Sequence, residues 1–412
     1  MGRPRRRAHR HRPGLMAKPP AGERNWGEAT RAVRAGAPST EALARTVGPP
    51  VQRGSTVLVP DAASLYAPGE VTYGRLGLSS HKALAQALAA LEGGTHAQLY
   101  SSGLAALTGA MMAVLSAGDE VLAVDCVYAP IRRFCDGMLK RYGVTTRYAP
   151  ARATADELMA MVTPATRLIV LESPGSLSFE LQDIPAIAAA ARARGITTLI
   201  DNTYGAGVLF KPLSHGVDIS VQALTKYVGG HSDVFMGSAV TADAGIAAKL
   251  TMAVRDTGWA VAPDDAYLML RGLRTLSTRL ERHGASGLAV ARWLADQPEV
   301  ARVLHPALPD FPDHALFQRD FTGPNGLFSV ELSPGGEAAV HGLLDALELF
   351  GLGFSWGGFE SLAIPCDPQL KGARTAQRWT AAGPIVRLHI GLEDPADLIA
   401  DLRQGLDRYA KG

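Results

Sequence analysis

Two ionisable residues sit at the ends of short apolar runs. Thr197-Thr198-Leu199-Ile200 leads into Asp201, and Ala223-Leu224-Thr225 leads into Lys226, with Gly229-Gly230-His231 just beyond. Short apolar runs bounded by turn signals read as buried strands, and in open α/β sheets ligands bind beyond the carboxyl ends of such strands. A lysine in an apolar pocket loses basicity and attacks carbonyl carbon to form a Schiff base. An aspartate beside a pyridine nitrogen keeps that nitrogen protonated. These are the two groups that pyridoxal phosphate (PLP) requires of a protein. Taken singly, the lysine reads as a snorkelling surface residue and Asp201 in D-N-T as a turn cap; the pair with its glycine turn points to the cofactor.

Other residues supply the rest of such a site. Ser101-Ser102-Gly103-Leu104 opens a helix pattern directly after a strand-like run. The free N–H groups and positive dipole end of that helix suit a phosphate, although the same residues also read as a plain N-cap. Thr225 would add a hydroxyl. Arg387 lies on the alternating run IVRLHI and shares a face with His389. It reads either as a bidentate clamp on an α-carboxylate or as the partner of Glu393 in an ion pair. No P-loop is present, and Gly351-Leu352-Gly353 lacks the third glycine of a dinucleotide fingerprint.

The elements that must hold these residues alternate. Ser80–Leu91 has helical spacing and stops at Gly93-Gly94; His96–Tyr100 reads as a strand, Leu104–Leu115 as a helix and Glu120–Val124 as a strand. Leu168–Leu171 is a strand pattern. A helix then starts near Asp183 with Pro185 in its first turn, shows Ile184, Ile187, Ala188 and Ala191 on one face, and ends at Gly195 before the strand that reaches Asp201. Strands alternating with helices predict a mostly parallel central sheet. After about Gly272 the texture changes to a smaller α+β pattern. It has a helix around Val290–Ala295, strands at Val300–Leu304 and Leu327–Leu332, and a helix around Val340–Leu349. The strand Ile385–Ile390 follows, then a helix capped by Asp394-Pro395. The expected divisions are a basic tail at 1–22, an irregular arm at 23–76, a large cofactor-binding domain at 77–272 and a C-terminal domain at 273–412.

Composition narrows the function further. With 47% hydrophobic and 19% charged residues, the chain has the profile of a globular protein with substantial cores. The net charge of +2 conceals an asymmetry, because Arg3, Arg5, Arg6, Arg7, Arg10, Arg12 and Lys18 all precede the first acid, Glu23. From Glu23 onward the chain is acidic, so the body offers no footprint for nucleic acid, and only the tail could bind a polyanion. The tail reads as disordered, or as sequence upstream of a start at Met16. It has no apolar core of a secretory signal. No run approaches a membrane span, and three cysteines without a C-x-x-C suggest a reduced, cytoplasmic setting with no metal site.

The run DISVQALTKYVGGHS, Asp218 to Ser232, resembles the attachment signature of the PLP-dependent cysteine/methionine metabolism family. TYGRLG, ESPGS, DNTYGAGVLFK, HPALP, FSWGGFES and IVRLHIGLEDPADLIADL extend the resemblance over nearly the whole chain from about residue 45. It implies the aspartate aminotransferase-like fold, PLP-dependent transferase fold type I, and a homo-oligomer, a tetramer built from dimers with shared active sites. By the same resemblance Lys226 is the Schiff-base lysine, Asp201 the partner of the pyridine nitrogen and Tyr128 the tyrosine stacked on the ring. Gly103, Leu104 and Thr225 form the phosphate cradle. Tyr73 and Arg75 reach the phosphate of the neighbouring subunit, with Tyr73 also touching the substrate amine. Ser355 and Arg387 clamp the substrate carboxylate beside Trp356. Ala223, where Cγ-acting members carry serine, and S-W-G-G around Trp356 imply the β-eliminating branch, which cleaves cystathionine to homocysteine, pyruvate and ammonia. Leu76 and Arg133 depart from that branch near the far end of the substrate, which points also to a broader lyase of cysteine S-conjugates. A regulator working through the basic tail is the reading from another class.

Overall fold

The computed structural model describes residues 27–34, 46–67, 69, 71–372 and 374–411; the basic tail at 1–22 lies outside the described residues. Twelve strands are described: β1 (His96–Tyr100), β2 (Glu120–Val124), β3 (Thr145–Ala149), β4 (Thr166–Glu172), β5 (Thr197–Asp201), β6 (Ile219–Ala223), β7 (Gly237–Thr241), β8 (Val300–Leu304), β9 (Leu327–Leu332), β10 (Gly351–Leu352), β11 (Leu362–Pro365) and β12 (Ile385–His389).

The first seven form one sheet in the order β1-β7-β6-β5-β4-β2-β3. Neighbours from β6 through to β3 run parallel, and β7 is antiparallel to both β1 and β6. Both faces of the sheet are covered, so β2 is buried at every position, as parallel strands between helical layers must be. The crossover helices follow the sequence signals. Ser102 caps the helix Gly103–Val114 by accepting the N–H of Ala105 at 3.1 Å. Asp183 caps Ile184–Ala193 through Ala186 at 3.2 Å, and Ile184, Ile187, Ala188 and Ala191 are buried on the predicted face.

The remaining strands form a second sheet in the order β10-β11-β12-β9-β8, antiparallel except for β10 with β11. A separate apolar core lies between this sheet and three helices, Leu276–Ala295, Glu337–Ala346 and Pro395–Tyr409. The last helix shows the 3.6-residue rhythm plainly, burying Leu398, Leu402, Leu406 and Tyr409, and Asp394 caps it.

The structure differs from the sequence expectation at one point that matters for chemistry. The apolar run toward Lys226 is not a strand to its end: β6 stops at Ala223, and Lys226 lies in the turn beyond it.

A buried acid ties the helix before β1 to this sheet. Glu92 closes the helix Ser79–Glu92 and is wholly inaccessible. Its carboxylate accepts the Ser220 hydroxyl at 3.0 Å, the Asn202 amide at 3.2 Å and the Gln222 amide. Burial, only partly offset by these donors, pushes it up to about 7. An acid whose folded pKa exceeds its unfolded value stabilises while protonated, so its contribution is complete below about 4.5 and is lost as pH rises to about 7. That loss runs at up to about 1.4 kcal/mol per pH unit. Glu92→Gln, with Gln222 turned to match it, is expected to flatten this slope and to exceed the parent in stability above pH 7. Urea titrations of both proteins at pH 5 and pH 8 check this; an equal difference at the two pH values would contradict it.

Candidate active site

The carboxyl ends of β2, β4, β5 and β6 open onto a cavity of about 710 Å³. Lys226 enters it from the turn after β6, which is built tightly. Gly229 N–H donates to the Leu224 carbonyl at 2.8 Å and Gly230 N–H to the Lys226 carbonyl at 2.8 Å. The buried Arg279 guanidinium holds the Tyr227 and Val228 carbonyls at 2.6 and 3.2 Å. The Lys226 ammonium donates to Ser355 Oγ at 2.8 Å and lies 5.4 Å from the centre of the Trp356 ring. Burial, helped by the Arg387 charge and opposed by Asp201, pushes it down to about 8. Near neutral pH a useful share of this lysine is therefore the free amine.

Asp201 forms the floor opposite. Its Oδ1 accepts the Thr203 N–H at 3.0 Å and the Thr203 hydroxyl at 2.5 Å. Asp201 pairs in register with Glu172 of β4, so two carboxylates lie side by side. Burial raises both, and the Asp201 charge raises Glu172 further. Glu172 in turn accepts the Tyr128 backbone N–H at 2.6 Å and the Ser176 hydroxyl, which fixes the start of the short helix carrying Tyr128. The Tyr128 ring stays 43% exposed on the cavity wall.

On the third side, the N-terminus of Gly103–Val114 faces the cavity through Ser102, Gly103 and Leu104. First-turn N–H groups have no acceptor within their own helix. Only glycine permits this approach, because a Cβ on Gly103 would fall 2.3 Å from Ala223 Cβ. Thr225 also lines the cavity. Its hydroxyl is engaged with Met236, donating to the carbonyl at 3.2 Å and accepting the N–H at 3.0 Å, which ties the lysine turn to the strand beside it.

The second sheet closes the site. Arg387 of β12 is buried and reaches the Phe354 and Ser355 carbonyls at 2.9 and 3.1 Å. The ion pair with Glu393 does not form, since Glu393 accepts Ser361 N–H and Oγ at 2.8 and 2.9 Å instead. No acid among the described residues bonds Arg387, so it faces the cavity as an unneutralised cation. Tyr73 and Arg75 are not brought to this cavity. Tyr73 is 45% exposed and pairs with Thr56, and Arg75 lies 5.8 Å from the Tyr73 ring centre. Leu76 is also away from it, whereas Arg133 lines it without a hydrogen-bond partner among the described residues.

Sequence reasoning missed Glu172, although it lies in ESPGS, and Arg279, which no local pattern marks. A third omission was Asp125 after β2. It pins the N–H groups of Thr375, Ala376 and Gln377 at 3.1, 2.9 and 3.1 Å, holding a segment of the C-terminal part over the cavity.

The residues present fit PLP. Two adjacent carboxylates with no cation bonded to them suit a protonated ring nitrogen, the helix N-terminus suits a phosphate, and a weakened lysine amine lies between. The fold and this site define a PLP-dependent enzyme of fold type I. The chain belongs to the Cys/Met metabolism PLP-dependent enzyme family, whose pattern matches residues 29–407. It is 48% identical to a putative cystathionine beta-lyase of Rhizobium johnstonii over 87% of this chain and 91% of that one. It is 46% identical to the cystathionine beta-lyase of Bordetella avium over 85% and 88%. Among solved structures, cystathionine gamma synthase from Xanthomonas oryzae pv. oryzae in complex with cystathionine superposes with a TM-score of 0.86. That match is 33% identical and covers 94% of this chain and 99% of the other.

Proposed function

We propose that this enzyme is a carbon–sulfur β-lyase that converts L-cystathionine and water to homocysteine, pyruvate and ammonia. The observation that carries the reading is the Lys226 amine on the cavity wall, held by Ser355 at 2.8 Å and lowered to about 8. Bound PLP supplies an electron sink for the negative charge that develops at the substrate Cα. Arg387 offers its remaining N–H groups to the α-carboxylate, which orients the Cα–H toward Lys226. Lys226 as free amine takes that proton, and as ammonium returns it to the sulfur when the Cβ–S bond breaks and sulfur keeps the bonding pair. Asp201 would keep the ring nitrogen of the bound cofactor protonated, and Tyr128 would bound the cavity beside it. Water then releases the three-carbon fragment as pyruvate and ammonia.

The test is purified protein with L-cystathionine, with pyruvate and α-ketobutyrate measured side by side. Pyruvate in large excess is expected; α-ketobutyrate as the main keto acid would assign γ-elimination instead. The unpartnered Arg133 on the cavity wall favours a second reading, a broader lyase of cysteine S-conjugates. Comparing kcat/KM for cystathionine and S-alkyl cysteines separates the two.

The same reading makes the working unit a homo-oligomer in which the neighbouring chain supplies Tyr73 and Arg75. Supporting it, Tyr73 does not line its own cavity, while Phe235 and Phe354, which do, are 74% and 77% exposed. Mixing inactive Tyr73→Ala and Lys226→Ala proteins after mild dissociation is expected to regain activity, because mixed dimers contain one site free of both lesions. No recovery from verified mixed dimers would refute sharing.

A further inference from the structure

His389 is the last residue of β12, two positions beyond Arg387, and is completely buried. Its Nε2 lies 3.0 Å from the Gly357 backbone nitrogen and 3.2 Å from the Gly358 carbonyl oxygen. Gly357 has φ of +82°, and a Cβ there would fall 2.8 Å from Tyr227 N and 2.9 Å from the Lys226 carbonyl carbon. The segment Ser355–Gly358 therefore rests directly on the backbone of the lysine turn. β12 grips it twice, through Arg387 at Phe354 and Ser355 and through His389 at Gly357.

We propose that His389, with His283 behind it, is the positioning residue that holds Ser355 and Trp356 against the Lys226 amine. The protonation pattern follows from the neighbours. A buried Gly357 N–H requires an acceptor, so Nε2 of His389 is bare and its Nδ1 carries the hydrogen. His283 Nδ1 lies 2.8 Å from the Ile390 carbonyl and so donates, which leaves its own Nε2 bare. The two remaining nitrogens, His389 Nδ1 and His283 Nε2, are both buried without a hydrogen-bond partner, on rings whose centres are 5.3 Å apart. His283 packs against His389 without bonding it, so the Gly357 N–H alone selects this tautomer. Burial keeps both rings neutral: His283 is lowered to about 4 and His389 well below its ordinary value. Neither ring faces the cavity, so neither exchanges protons with substrate.

This inference rests on the lyase reading for its kinetic effect, but not for its structural one. His389→Leu is expected to lower kcat for pyruvate release on the order of 10–100-fold, because the amine is misplaced. His389→Gln, whose Oε1 can reach the Gly357 N–H, is expected to recover most of the loss, and the shorter His389→Asn is not. In a Ser355→Ala background His389→Leu is expected to add little, since it acts through the segment that Ser355 belongs to. Independently of turnover, acetic anhydride labelling of Lys226 in the full-length protein before PLP is added, read by mass spectrometry, is expected to change several-fold in His389→Leu and to return toward the parent rate in His389→Gln. If the leucine variant does not fold, the glutamine–asparagine comparison carries the same test. Equal labelling and kcat in the Gln and Asn variants, or losses that multiply with Ser355→Ala, would overturn the proposal. A protein that cleaves no cystathionine but shows the labelling difference would reject the lyase reading and keep this one.

Discussion

Lys226→Ala is expected to abolish pyruvate release, lowering kcat by on the order of 10⁴-fold. In the proposed mechanism one group performs two proton transfers, removal from Cα and delivery to sulfur, so its loss removes both at once. The arginines on the cavity wall offer no substitute. The cations left on the wall are Arg132, Arg133, Arg374 and Arg387, and a guanidinium is not a base near neutral pH. Arg132 and Arg374 are in addition held by Asp125 and Glu180. The visible absorbance of lysine-bound cofactor is expected to vanish with the activity. Pyruvate formation at the parent rate would show that Lys226 is not the proton carrier.

Asp201→Asn is expected to lower kcat by on the order of 10²–10³-fold, the usual effect of removing a preorganised electrostatic partner. Asparagine keeps the Oδ1 that accepts both Thr203 bonds, so local structure is preserved while the charge is lost. The effect on stability has the opposite sign. Asp201 is raised by burial and stands beside Glu172, so its contribution to folding is lost as pH rises through its folded pKa. The cofactor-free asparagine variant is therefore expected to melt above its parent at pH 8, with a smaller gap at pH 5. A variant that loses activity and stability together would instead mark Asp201 as a structural residue.

Much of this site was legible because its chemistry is local in sequence. The apolar run ending in Asp201, the lysine with its glycine turn, and Ser102-Gly103 opening a helix each announce themselves within a few residues. What was not legible depends on pairing. Glu172 becomes significant only because β4 and β5 align it with Asp201, and the ion-pair reading of Arg387 falls only once Glu393 is seen to bond Ser361. The helix expected around Val290–Ala295 in fact begins at Leu276, because Gly284 and Gly287 look like breakers. They serve instead for close packing: a Cβ on either would press on the backbone of Pro324 or Asn325. The helix expected to reach Leu349 stops at Ala346, where Asp401 of the last helix takes the N–H groups of Glu348 and Leu349 at 2.9 and 2.8 Å. Local propensity carries no information about such distant partners.

The two sheets divide the site between them. The first supplies Asp201, Lys226, Gly103 and Tyr128 to the cavity, the residues proposed to hold the cofactor; β12 of the second supplies Arg387 and, through His389, the seat of Ser355 and Trp356. A change of substrate can thus arise by remodelling β12 and the segment it grips, leaving the electron-sink machinery untouched. In a lineage this arrangement lets preference for the departing group drift without passing through an inactive ancestor, and it makes residues 354–358 the first place to randomise when a new thioether is to be cleaved.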